Sequence, residues 1–174
     1  MFKPSYLVKG FPGHPLHPPL TDATIGAYTA ATVLGILAYA GVSEENLTKA
    51  WWLALLVGLG STALTASTGL ADWLTITWRT PLWWTATWHM LSMLTATAFF
   101  ALAAAFGHDR YVAGDMGGAT FVATLLGFVA LTVGGWLGGT VVYVHGMRVL
   151  NLAEEPTQRA VTPGHREKEA AEGS

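Results

Sequence analysis

Six ionisable side chains within or beside the apolar stretches of this sequence are candidates for site chemistry: His14, His17, Asp22, Asp72, His89 and His145. Cysteine is absent, which removes disulfides, Cys-ligated zinc, iron–sulfur clusters, covalently attached c-type haem and thiol catalysis from the chain. Any site chemistry falls to imidazole and carboxylate. Neutral imidazole ligates haem iron, and mixed with carboxylates it suits zinc, non-haem iron or copper. His14 and His17 lie in GHPLHPPLTD, residues 13–22. A polyproline-like turn of three residues there would set the two rings on one face, about 9 Å apart. The plainer reading is a stiff lead-in, with the prolines holding the preceding histidines extended and Thr21 or Asp22 capping the first helix. No nucleophile motif or Gly-rich phosphate loop after a strand is present, so hydrolase and transferase chemistry is not expected.

The elements that would position these residues are membrane helices. Of 174 residues, 52% are hydrophobic and 11% charged, against about a quarter charged in soluble domains. Four stretches, about 23–41, 51–74, 82–106 and 118–144, reach the roughly 20 apolar residues that a helical span requires. Short connections at 41–49, 75–81 and 107–117 favour antiparallel neighbours. The expected fold is all-α: a polytopic four-helix antiparallel bundle with both termini on one side. Residues 1–22 form a lead-in segment, 23–150 the transmembrane domain and 151–174 a polar tail expected to be disordered. The first 21 residues lack a cleavable signal, so the first span is expected to act as an uncleaved anchor.

Charge sets the expected orientation. Lys3, Lys9, Arg79, Arg148, Arg159, Arg166 and Lys168 fall on the side of the termini, and Lys49 and Arg110 opposite. Both termini should therefore be cytoplasmic, in the plasma membrane. Trp51, Trp52 and Tyr111 should mark the outer interface, and Trp73, Trp78, Trp83, Trp84 and Tyr143 the inner one. A net charge of −2 with no basic run argues against nucleic acid as a partner.

Small and hydroxyl residues mark the faces on which membrane helices meet. The second span aligns Gly58, Ser61, Thr65, Thr68 and Asp72; the fourth aligns Gly127, Gly134, Gly138 and His145. His89 shares a face with Thr85, Ser92, Met93 and Ala96. Gly134/Gly138 and Gly135/Gly139 form overlapping GxxxG pairs that could join helices within one chain or in a homo-oligomer. With four spans, His14, His17, His89, His145, Asp22 and Asp72 converge on the cytoplasmic half; His108 and His165 do not. Intramembrane ionisable residues are by default functional. Each also has a bland reading: His89 as a core histidine bonded across helices, His145 as an interfacial residue beside Arg148, Asp72 as a cap or a neutralising partner.

GHPLHPPLTDATIG entering the first span, GLADWL ending the second, a histidine early in the third and GGWLGGTVVYVHGM closing the fourth together resemble DUF2231, a family of small bacterial four-helix membrane proteins. The resemblance covers about residues 10–150 and maps the family's histidines onto His14, His17, His89 and His145. It implies a bacterial inner membrane, and its association with Rieske or cytochrome c modules implies membrane redox chemistry. The chain departs from the family pattern at ATIG (23–26), for the commoner FPIG, and at YVHG (143–146), where the family has an arginine before the histidine.

The leading expectation is haem b held by two histidines, His89 with His145, His17 or His14 opposite, passing electrons between a quinone and a redox partner. As an enzyme the chain would be a membrane oxidoreductase component. The alternatives are a transition-metal site of His14, His17, His89 and His145, supported by Asp22 or Asp72, and a cofactor-free scaffold subunit in the lipid bilayer.

Overall fold

A computed structural model describes residues 6–11, 13–150 and 153–162. A short helix α1 (Tyr6–Lys9) leads into a two-stranded antiparallel hairpin, β1 (Gly10–Phe11) with β2 (His14–Pro15), in which Phe11 pairs with His14. Four long helices follow: α2 (His17–Tyr39), α3 (Glu44–Trp73), α4 (Pro81–Ala113) and α5 (Gly118–Gly139). A π-helical turn, Thr140–Val144, extends α5, so that its candidate span reaches Val144. All four are long and apolar enough to cross a membrane. The tail expected to be disordered lies largely outside the described residues; within 153–162 a single turn, α6 (Thr157–Ala160), forms.

α2, α3 and α4 run longer than the spans expected from hydropathy alone, while the fourth matches its expected span, and their ends follow from local chemistry. α4 starts at Pro81, whose missing N–H is no loss in the first turn, and the Thr80 hydroxyl accepts from the Trp83 N–H at 3.2 Å. It stops at Gly114, in the left-handed conformation at φ 75°. α2 corrects the capping expected at Thr21 or Asp22. It begins at His17 with Pro18 and Pro19 in its first turn and no side-chain cap, so His17 is helical rather than extended. The polyproline face of His14 and His17 is therefore not formed: His14 stands exposed on β2, and the helix begins between it and the bundle.

α2 packs most extensively on α3 and α4 on α5, while contacts of α3 with α4 and α2 with α5 close the ring. α2 and α4 are thus diagonal to one another, and the even number of helices returns the chain to the end from which it started. Buried at the centre are Tyr28, Leu55, Phe100 and Leu131. Tyr28 stacks on Phe100 with ring centres 4.0 Å apart, and Gly58 makes room for it, since a Cβ there would lie 2.5 Å from Tyr28 Cε1.

The interior is polar for a core. Thr24, Thr32, Thr48, Thr65, Thr68, Thr120 and Thr124 are all buried, whereas Val57, Leu64, Phe106 and Trp136 face outward. Most of these hydroxyls return a proton to a carbonyl one turn back, as Thr32 does to Tyr28 at 2.8 Å. Two tryptophans depart from the expected belts. Trp51 is fully buried, donating to Thr124 Oγ1 at 3.1 Å, and Trp83 is 8% exposed beneath Trp73, Trp78 and Trp84. Packing against Gly35 and Gly107, which present no side chain, is what draws Trp51 inward.

Candidate functional site

One end of the bundle collects the start of α2, the end of α3, the start of α4 and the end of α5. His17 opens α2 and turns its ring toward α3, where Nδ1 lies 3.1 Å from the Thr65 carbonyl and 3.2 Å from Thr68 Oγ1. A carbonyl only accepts, so Nδ1 carries the proton and donates. Thr68 supports this, because its own hydroxyl proton goes to α3 carbonyls, the nearer being Thr65 O at 2.9 Å. In the neutral ring Nε2 then holds the lone pair. Thr21 Oγ1 is 3.5 Å from that nitrogen, but its single proton is directed to the His17 carbonyl at 2.9 Å. Among the described residues the Nε2 lone pair has no donor.

His89, two turns inside α4, repeats the arrangement. Its Nδ1 is 2.7 Å from the Gly134 carbonyl on α5, which again fixes the proton on Nδ1 and the lone pair on Nε2. The two rings meet across the diagonal of the bundle in an edge arrangement, with centres 6.5 Å apart and planes at 81°. Each is seated against a glycine. A Cβ at Gly69 would come 2.7 Å from His17 Cε1, and one at Gly138 would come 2.9 Å from His89 Cε1. The helices can therefore approach closely enough for both imidazoles to bond backbone carbonyls.

The remaining residues surround this pair without joining it. His145 Nε2 lies 3.0 Å from Thr85 Oγ1, one turn before His89 on α4. Asp72, buried and one turn beyond Thr68, forms an ion pair with Arg148 Nη2. His14 and Asp22 are exposed, and His108 lies at the opposite end beside Trp52 and Asp109. His165 falls outside the described residues. Among the described residues no group of three or more His, Asp or Glu is placed to hold a metal ion.

The sequence singles out both histidines of the pair but leaves the partner of His89 open among three. Sequence reasoning missed Gly69 and the Asp72–Arg148 pair. Gly69 follows Thr65 by four positions, so helical spacing alone would have placed it on the inward face. The Arg148 partnership had no such signal, since it depends on how the chain turns after α5.

Comparison with known proteins matches residues 13–151 to a family model described as predicted membrane protein, DUF2231. No curated protein and no solved structure matches.

Proposed function

We propose that this chain, which belongs to the DUF2231 family of predicted membrane proteins, is an electron-transfer protein that binds haem b between His17 and His89. The observation that carries the reading is the pair of neighbouring imidazoles on diagonal helices, each with Nδ1 spent on a backbone carbonyl and Nε2 left as the free ligand atom. Metal-ligating histidine makes the same hydrogen bond through its other ring nitrogen, which fixes the tautomer and raises basicity.

The donor set fits haem better than a bare ion. A haem iron takes four nitrogens from its macrocycle and needs two from the protein, whereas zinc sites take three or four protein ligands. His17 and His89, on diagonal helices with ring centres 6.5 Å apart, are the two residues that would hold the haem. When bound, haem would supply one-electron chemistry. The chain's own part is to orient two imidazoles through Thr65 and Gly134, to hold them against Gly69 and Gly138, and to keep the site within a lipid-embedded bundle. A quinone in the bilayer and a redox protein, such as a Rieske or cytochrome module docked at the histidine end, are the partners this reading calls for. The basic residues on that side favour a cytoplasmic orientation in a bacterial plasma membrane.

A visible absorption spectrum of the detergent-purified protein, oxidised and then reduced, tests the proposal. Stoichiometric haem bands that vanish in His17→Ala and in His89→Ala, and persist in His145→Ala, are expected. A featureless spectrum with stoichiometric zinc, iron or copper by elemental analysis would favour a non-haem metal site instead. The interhelical bonds of His17 and His89 would equally serve a cofactor-free scaffold, which is the reading left if both measurements are empty.

A further inference from the structure

Beyond the last turns of α3 and α5 lies an open cleft of about 420 Å³ that the histidine pair does not use. Its walls are the turn joining α3 to α4 on one side and Met147 and Arg148 on the other. The lining is divided between polar and apolar groups: Thr77, Thr80 and Arg148 against Ile76, Leu82 and Met147. Trp78, Trp84 and Tyr143, exposed around the same end, place it at the depth where amphipathic rings meet lipid headgroups.

The charges at this cleft favour an anion. Arg148 gives Nη2 to Asp72, and its other donors have no acceptor among the described residues. Arg79 stands outside the lining, in the same turn beside Thr80, where it is exposed and has no carboxylate partner among the described residues. Asp72 offsets one of the two guanidinium charges and leaves the other in surplus. The hydroxyl of Thr77 also makes no hydrogen bond among the described residues, whereas that of Thr80 is spent on the Thr77 carbonyl at 2.9 Å. Both arginines occupy left-handed backbone positions, φ 61° for Arg79 and 63° for Arg148. Glycine or asparagine would sit there with less strain.

We propose that this cleft binds the phosphate-bearing headgroup of an anionic lipid, with Arg148 facing the phosphate from the wall, Arg79 adding its charge from the adjoining turn, and Ile76, Leu82 and Met147 against the start of the acyl chains. The proposal is independent of whether the histidines hold haem. Guanidinium pairs bidentately with phosphate oxygens, and a cleft lined by apolar as well as polar groups at headgroup depth suits an amphiphile better than a free ion.

The test uses the full chain purified in detergent and reconstituted into vesicles of phosphatidylglycerol or phosphatidylcholine, with bound lipid quantified after detergent re-extraction and thermal midpoints recorded. Preferential retention of phosphatidylglycerol is expected, together with a higher midpoint in that lipid. Arg79→Gln, at an exposed position, should reduce the preference about fivefold. Arg148→Lys, which preserves a cation for Asp72, should also reduce it, while Lys49→Gln at the opposite end should leave it unchanged. Equal retention of both lipids would overturn the proposal, as would a preference that survives in the Arg79→Gln, Arg148→Lys double variant. A midpoint shift reproduced in full by inorganic phosphate alone would identify free phosphate as the ligand and overturn the lipid assignment.

Discussion

The two glycines behind the imidazoles set the geometry of the histidine pair. Because a Cβ at Gly138 would lie 2.9 Å from the His89 ring, Gly138→Ala must displace that ring from the Gly134 carbonyl. We expect a loss of about 1–3 kcal/mol in denaturant unfolding, and loss or broadening of any haem absorption. Gly69→Ala should act on His17 in the same way, with its Cβ 2.7 Å from the ring. Much of this was legible in the sequence. An imidazole inside an apolar stretch has few explanations, and the stripe of Thr65, Thr68 and Asp72 already marked the facing surface. The choice of His17 over His145 or His14 was not, because it depends on which helices lie diagonally and on a helix that starts six residues earlier than hydropathy suggests. Pro18 and Pro19 concealed that start: they read as breakers, yet in a first turn they sit where helices tolerate proline best.

At the scale of helices, α5 shows how close spacing separates structural from idle glycines. Gly134 and Gly138 pack against Met93 and His89, whereas a Cβ at Gly135 would meet nothing within 4 Å. Gly134→Leu should therefore prevent folding, and Gly135→Leu should change the thermal midpoint little, by no more than about 0.5 kcal/mol in stability. If chains associate through the outer pair, Gly135→Leu would also abolish the dimer seen by cross-linking. The π-helical turn that follows was invisible to a reading based on a period of 3.6. It inserts one residue, with His145 N–H bonding Thr140 O at 3.1 Å, and so rephases everything after it. Deleting Val142 should rotate His145 and Arg148 by about 100° away from Thr85 and Asp72. We expect that variant to lose about 1–3 kcal/mol, a loss that Val142→Ala should not reproduce in thermal unfolding.

For the molecule as a whole, the division between an apolar exterior and a hydroxyl-rich interior was readable from composition and stripes, as were the number of helices and their succession. What composition could not resolve was the role of individual aromatics. Trp51 looks interfacial by position but is drawn into the core by glycines on α2 and α4, from helices far apart in sequence. Four spans also make a topological statement that can be measured. A reporter active on only one side of the membrane should give the same reading at either terminus and the opposite reading when inserted in the turn at residues 115–117.

The short turns at the far end have a further consequence for how such a bundle could be joined to other machinery. Residues 40–43 and 114–117 span only four positions each, whereas the chain enters α2 and leaves the π-helical turn at the other end of the bundle, which offers two moorings for an added domain. Both moorings lie on the face that carries His17 and His89. A soluble domain tethered at either end would hang directly over the imidazole pair, at a reach set by its linker, and a redox module attached there would be held within working range without any dedicated docking surface.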